Sequence, residues 1–436
     1  MSQLITVREH ARLTTADVPA SDRLAQVSQT AFDWLLAESA RLRGADTGAR
    51  LVELESRREL RLDNYVGVLE SPCGTRIEIL PKALEPGEGI EAGRALLQKM
   101  LARCLNLTPR QSNPTALRTF DAPLSEWVAR QFLQGVDHLV KRGLRFDYHS
   151  VQEELRYLRG RLLVARQLRQ APGRAHCFQV EHDVFDADRA ENRLIRSALE
   201  VVRKHTREPK NWRLAHELAH HLHEIPASSN VAEDFRRWRD DRLMAHYSPL
   251  RGWCALILHE QMPLTVVGTQ RGQSLLFPME KVYEQYVGLG LRQWLPAGAK
   301  LTLQAASQFL AKHRDQHWFQ LRPDFLIDHD GQRVVADAKW KLLDAALDNS
   351  EQKYRLSQAD FYQLYAYGQK YLAGVGTLYL FYPRTSRFSA PLPPFHFNEQ
   401  LRLLVVPFDL ARVQPTCRFA MNQDCESALN PALKSN

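Results

Sequence analysis

Between Leu321 and Lys341 the chain reads LRPDFLIDHDGQRVVADAKWK, and no other stretch limits the fold so tightly. Phe325, Leu326 and Ile327 form an apolar run. His329-Asp330-Gly331-Gln332 follows, with Asp-Gly at its centre, where positive φ is readily adopted. Val334 and Val335 then begin a second apolar run, so the pattern predicts a β-hairpin. Side chains alternate faces along a strand, so Asp337 and Lys339 point the same way. Asp324 lies on the partner strand and falls roughly opposite Asp337. Two carboxylates and one ammonium thus converge at one end of a short sheet.

That constellation suits metal-dependent phosphodiester hydrolysis. Two hard carboxylate oxygens can hold Mg²⁺, which keeps several of its waters. A bound metal polarises the phosphoryl oxygen and helps a water ionise. The lysine can orient or deprotonate that water, or stabilise charge on the phosphate, and its pKa shifts readily near other charges. Pro323-Asp324 followed by Asp337-Ala338-Lys339 resembles the PD-(D/E)xK nuclease signature. A surface hairpin with an Asp–Lys pair on its wet face is the alternative that this pattern alone leaves open.

Two flanking segments agree with the nuclease reading. Pro278 opens a helical pattern in which Met279, Val282, Tyr286 and Leu289 make an apolar stripe. Glu280 and Glu284 are the acids it leaves over. In this nuclease class a glutamate before the hairpin often adds a metal ligand, and Glu284 is the candidate here. Downstream, Gln358 to Tyr367 is helical in pattern, and Gln363 and Tyr367 share a face four residues apart. They resemble the QxxxY element of RecB-like nucleases. For both segments a purely structural amphipathic helix is the plainer alternative.

A chain of 436 residues has room for two or three domains with their own cores. Its net charge of +8 fits an anionic partner such as nucleic acid. Six scattered cysteines form no CxxC pair, which points to a reducing cytoplasm rather than a disulfide framework or zinc ribbon. The start, MSQLITVREHARL, lacks the apolar core of a signal peptide. No run of about twenty apolar residues exists, so no membrane span is expected.

The expected fold class is α/β, in the sense of an α+β multidomain chain. Residues 1–115 read as a mainly β module with helices over Ala25 to Arg43 and Ile90 to Leu105. Strands are expected at Leu4 to Val7, Leu51 to Leu54, Tyr65 to Leu69 and Arg76 to Leu80, the last half-buried because Ile77 and Ile79 alternate with Glu78. The turn-rich Thr108 to Pro114 stretch marks a boundary. Residues 116–260 read as helical and basic, with helices over Leu124 to Arg142, Val151 to Leu158 and Glu191 to Lys204. Arg156, Arg159, Arg161, Arg166, Arg169 and Arg174 are dense there and could line a duplex through phosphate contacts, or be solvated helix faces. Residues 261–436 read as an α/β nuclease core with a mixed sheet, with strands at Leu264 to Val267, Thr377 to Tyr382 and Leu401 to Val406, the last stopped by Pro407.

His216-Glu217-Leu218-Ala219-His220 matches HExxH, the zincin metalloprotease motif. Three features weigh against a zinc site. His223 stands where the extended motif wants glycine, Pro226 follows closely with only Glu233 as a third ligand, and the helix is histidine-rich throughout.

With these residues in view, the chain resembles the McrC family, the nuclease subunits of McrBC modification-dependent (type IV) restriction systems. The likeness extends to Ile5 to His10, Tyr65 to Val68, Ile77 to Lys82, Arg142 to Leu144, Tyr148, Arg159 to Arg161 and Glu191 to Ile195. It implies Asp324, Asp337 and Lys339 as the catalytic core, with Mg²⁺ (or Mn²⁺) as cofactor. It further implies a McrB-like AAA+ ring that binds and hydrolyses GTP, which this chain does not itself bind. The N-terminal part would enter that ring and stimulate its GTPase, while the C-terminal domain cuts double-stranded DNA carrying modified cytosine. A stand-alone RecB-like nuclease, a non-enzymatic adaptor of a ring NTPase and a zinc peptidase are the competing functions.

Overall fold

The computed structural model describes residues 4–44, 50–83, 85, 87–105, 123–239, 244–258 and 275–417. They fall into two compact units, one from the described residues of Met1–Asn106 and Leu264–Asn436, the other from those of Ala122–Pro263. Where three domains are expected from the sequence, the first and last segments therefore share a unit.

The N-terminal segment begins with β1 (Leu4–Arg8), β2 (Arg12–Thr14) and β3 (Leu24–Gln26), followed by α1 (Gln29–Gly44). Then come β4 (Val52–Ser56), β5 (Glu59–Leu62), β6 (Tyr65–Glu70), β7 (Arg76–Leu80) and α2 (Ile90–Cys104). The first helix starts later than expected from the sequence. Leu24–Gln26 pairs with β2 as a strand, and the Ser28 hydroxyl accepts from Ala31 N–H, capping the helix behind it. Strand β7 is buried along its whole length rather than on one face. Glu78 is fully buried, and its carboxyl is satisfied by the Arg94 guanidinium, which donates to it at 2.7 and 2.9 Å, and by the Thr6 hydroxyl at 2.9 Å.

The middle unit opens with α3 (Leu124–Arg142), closed by Gly143 as expected from the sequence, then β8 (Asp147–Leu155), β9 (Arg161–Leu162), α4 (Val164–Gln167) and β10 (Phe178–Asp186). Helices α5 (Ala190–His205), α6 (Pro209–His221), α7 (Val231–Arg237) and α8 (Ser248–Ile257) complete it. The helix expected over Val151–Leu158 is instead strand as far as Leu155 and irregular beyond it. Its Gln-Glu-Glu-Leu run favours a helix locally, but β10 offers a pairing partner along all of Asp147–Leu155, and that ladder overrides propensity.

The C-terminal segment contains β11 (Leu275–Pro278), α9 (Met279–Trp294), β12 (Lys300–Leu303), β13 (Gln308–His313), β14 (Gln316–Leu321), β15 (Phe325–His329) and β16 (Gln332–Ala338). It continues with α10 (Gln358–Tyr371), β17 (Gly376–Pro383), β18 (Phe395–His396), β19 (Leu401–Asp409) and β20 (Gln414–Pro415). The main sheet has the order β12-β15-β16-β17-β19-β18. Its β15–β16 pair is antiparallel and its β16–β17 and β17–β19 pairs are parallel, so the sheet is mixed. Pro407 does not stop β19, because the proline lacks only its N–H while its carbonyl still accepts from Thr416. The strand expected at Leu264 to Val267 lies outside the described residues. β11 joins the two segments by pairing antiparallel with β6 in a sheet of order β1-β7-β6-β11. At that seam Gly67 has φ +129°, and a Cβ there would meet Leu275 O at 1.9 Å. Among the described residues no helix is long and apolar enough to cross a membrane.

Candidate active site

The hairpin forms at the expected turn. Asp330 and Gly331 both have positive φ, 47° and 73°, the combination that closes a two-residue hairpin. The register pairs Phe325 with Ala336, so Asp324 and Asp337 fall side by side one step further on. A bond from Ala338 N–H to Asp324 Oδ2 at 2.9 Å clips the two strands together there. Asp337 sits where β16 runs parallel to β17, opposite Leu380, and is 1% exposed. Lys339 N–H donates to Phe381 O at 2.9 Å, which carries the chain straight past the strand end and turns the ammonium back to 2.6 Å from Asp337 Oδ2.

Of the two candidate glutamates on α9, Glu284 reaches this site, while Glu280 is exposed. The link is Gln304, whose amide donates to both Glu284 Oε1 and Asp324 Oδ1. Gln304 has φ +48°, and its own N–H donates to Asp324 O at 3.0 Å. On α10, Gln363 Oε1 accepts from Lys339 Nζ at 3.2 Å, and its amide donates to the Tyr367 hydroxyl at 2.7 Å. That hydroxyl donates to Arg322 O at 3.0 Å, two residues before Asp324. The QxxxY pair thus ties the lysine to the strand carrying the first acid.

The electrostatics follow from packing three acids around one ammonium. Burial, reinforced by Asp337 and Glu284, pushes the Asp324 carboxyl up to about 8. Burial also raises Glu284, with Asp337 adding to it. For Lys339 burial works against the charge, but Asp337 and Asp324 outweigh it and hold the ammonium above the ordinary lysine range. Beyond the contact of its Oδ2 with the Lys339 ammonium, Asp337 accepts no hydrogen bond among the described residues. A buried carboxylate with unfilled acceptor capacity, beside acids that repel it, is a place where a cation lowers the energy. Among the described residues no three His, Cys, Asp or Glu side chains are placed to hold a metal ion between them. The side chains that do converge here offer carboxylate oxygens, the donors that a hard ion such as Mg²⁺ prefers.

The profile of the family described as the McrBC 5-methylcytosine restriction system component matches residues 60–383. The chain belongs to that family. The matched span includes Glu284, Asp324, Asp337, Lys339, Gln363 and Tyr367. Among solved structures, a half-complex of Thermococcus gammatolerans McrB AAA+ hexamers with bound McrC is similar over 96% of this chain and 97% of that one, at 20% identity and TM-score 0.71. The Thermococcus gammatolerans McrBC complex is similar over 67% of this chain and 88% of that one, at 21% identity and TM-score 0.52. At these identities the likeness speaks for the fold. No curated protein matches.

Within this McrBC-family chain the other expected site residues lie in the middle unit. Arg156, Arg159 and Arg161 are exposed, on the turn after β8 and on β9, rather than along a helix face. His216, Glu217 and His220 are on α6. The His216 Nδ1 is 2.9 Å from Trp212 O, and His220 stacks on His223. Glu233, the nearest third ligand by sequence, holds Arg236 and Arg237 at 2.8 and 2.9 Å.

Two contributors escape a reading of the sequence. Gln304 carries no motif. Trp340 is buried next to Lys339, and its indole N–H donates to both oxygens of Glu9 at 2.9 and 3.0 Å, 331 residues away. Its ring also packs on Tyr283, neighbour of Glu284, at 5.1 Å. No local signal could have revealed either contact.

Proposed function

We propose that this chain is the McrC-type, DNA-cutting subunit of a modification-dependent restriction complex. The observation that carries the reading is the convergence of Asp324, Asp337 and Lys339 at the end of β15 and β16, within a chain of the McrBC family. Asp324 and Asp337, with Glu284 through Gln304 behind them, would hold Mg²⁺ or Mn²⁺ at a scissile phosphate. When bound, the ion supplies Lewis-acid polarisation of the phosphate and an acidified water. Lys339, kept protonated by Asp337, donates to charge building on the phosphate and orients the attacking water. Gln363 holds the ammonium on its second side, so that the lysine cannot swing away from the phosphate as charge develops.

The reading includes a McrB-like AAA+ partner that binds GTP, is stimulated by this chain and brings double-stranded DNA with modified cytosine, in the cytoplasm. Docking falls to the N-terminal segment up to about residue 115, which has no catalytic arrangement of its own. The middle unit offers a rival surface, because Phe146, Tyr148 and Phe185 form an exposed aromatic cluster with centroids 5.4 and 4.7 Å apart.

The test is a cleavage assay on methylated and unmethylated duplex with Mg²⁺, using the protein alone and with a McrB-type partner plus GTP. Cutting only with partner, GTP and modified DNA, and lost in Asp337→Ala, supports the reading at each step. Cutting by the protein alone on either DNA would keep the catalytic acids but move the assignment to a stand-alone RecB-like nuclease.

A further inference from the structure

β13 and β14 form an antiparallel hairpin inserted between two strands of the main sheet, and most of it is exposed. It is rooted in the active site on both legs. The incoming leg follows Gln304, the residue that bridges Glu284 and Asp324. The outgoing leg ends at Leu321, just before Asp324. The Tyr371 hydroxyl on α10 bonds to Ala305 O at 2.8 Å and to Leu321 O at 2.9 Å, clamping the two legs together, and Gln320 donates to Ala306 O at 2.7 Å. Beyond this clamp the hairpin carries apolar surface that covers nothing: Trp318 is 45% exposed and Phe319 67%.

Phe319 has φ +59°, a left-handed conformation that an aromatic residue rarely takes and that costs stability. A ring this exposed gains little burial to offset that strain. The same hairpin and its exit carry Lys312, Arg314 and Arg322 against one acid, Asp315, which pairs with Lys312 at 2.9 Å, and His313 and His317 lie among the aromatic rings. A basic turn with exposed apolar rings on the strand behind it matches the chemistry of a groove-binding arm, in which cations meet phosphates and an apolar ring enters between base steps.

We propose that this hairpin is an arm that grips duplex DNA beside the catalytic acids, with Phe319 as the wedge. The proposal rests on the nuclease reading above. It assigns the arm to the DNA entering that site, so that wedging fixes which phosphate reaches Asp324 and Asp337.

Phe319→Gly removes the ring and relieves the backbone strain together. The full chain, with and without a McrB-type ring, would be mixed at low salt with a duplex scanned by 2-aminopurine. With wild type one base step should brighten as it unstacks. Phe319→Gly should lose that signal and weaken duplex binding about tenfold, while its melting temperature stays level or rises. Phe319→Trp should restore both readouts. Asp337→Ala, run alongside, should bind and unstack like wild type but not cut. Equal binding and unstacking by Phe319→Gly, with Asp337→Ala inactive, would overturn the arm and leave the nuclease standing. Reduced ring-dependent cutting with unchanged DNA binding would assign the arm to a protein contact and also overturn it. Normal cutting by Asp337→Ala would sink the nuclease reading itself, and the arm's role with it.

Discussion

Asp337 is the driest of the site's acids, and among the described residues only the Lys339 ammonium shares its acceptor capacity. Lys339→Ala should lower cutting by about a hundredfold or more, as loss of a transition-state donor does, with DNA binding kept; single-turnover cleavage measures it. Asp324 gives a second test, in stability. Its carboxyl titrates near 8 in the fold and near 3.8 when unfolded, so the folded state binds the proton more tightly between those values. Stability of the metal-free protein should fall as pH rises through that window, while Lys339, raised above the usual lysine range, does not titrate there. Asp324→Asn should flatten the slope, and added Mg²⁺ should recover stability in wild type at pH above 8. Melts at pH 5 and pH 8.5 with matching slopes for wild type and variant would remove Asp324 as the cause. His216→Ala should leave cutting unchanged, and a complete loss would return attention to the HExxH helix.

Between elements, the contact that matters is the one from β1 to the strand end after β16. Glu9, just past β1, is buried, and burial raises its carboxyl although Lys82 opposes this. It nevertheless accepts from Trp340 N–H and from Lys82 N–H, fixing the backbone one residue beyond Lys339. Glu9→Ala should therefore lower the cleavage rate about tenfold with little change in DNA affinity, and Glu9→Gln, which still accepts, should recover most of it. The β6–β11 seam makes a separate demand. Gly67→Ala should destabilise the protein by more than about 2 kcal/mol, read by denaturant melts, because both its φ and its space exclude a side chain.

At the scale of the whole molecule, the main C-terminal sheet and the N-terminal sheets share one unit, and every strand of their described sheets comes from within it. A chain in which residues 122–263 are replaced by a short Gly-Ser linker should therefore still fold, as circular dichroism and a cooperative melt would show. If that shortened chain no longer stimulates a McrB-type GTPase, docking belongs to the middle unit and not to the N-terminal segment. The charge of +8 also makes a prediction for the assembly: DNA binding by the full chain should weaken steeply with salt.

The sequence alone determined what depends on neighbours in the chain. Asp330-Gly331 fixed the hairpin turn, the two-residue period put Asp337 and Lys339 on one face, and the four-residue spacing put Gln363 over Tyr367, because each rests on local backbone geometry. Helical periodicity placed α3 and α9 for the same reason, and it failed at Val151–Leu158 and at Ala25–Gln26, where pairing with another strand decided the outcome. Only the tertiary structure chose Glu284 over Glu280, brought in Gln304 and set Glu9 against Trp340. Those choices rest on hydrogen bonds and burial between residues from 20 to 331 positions apart, and nothing in a local pattern encodes which distant partner will fill a buried polar group.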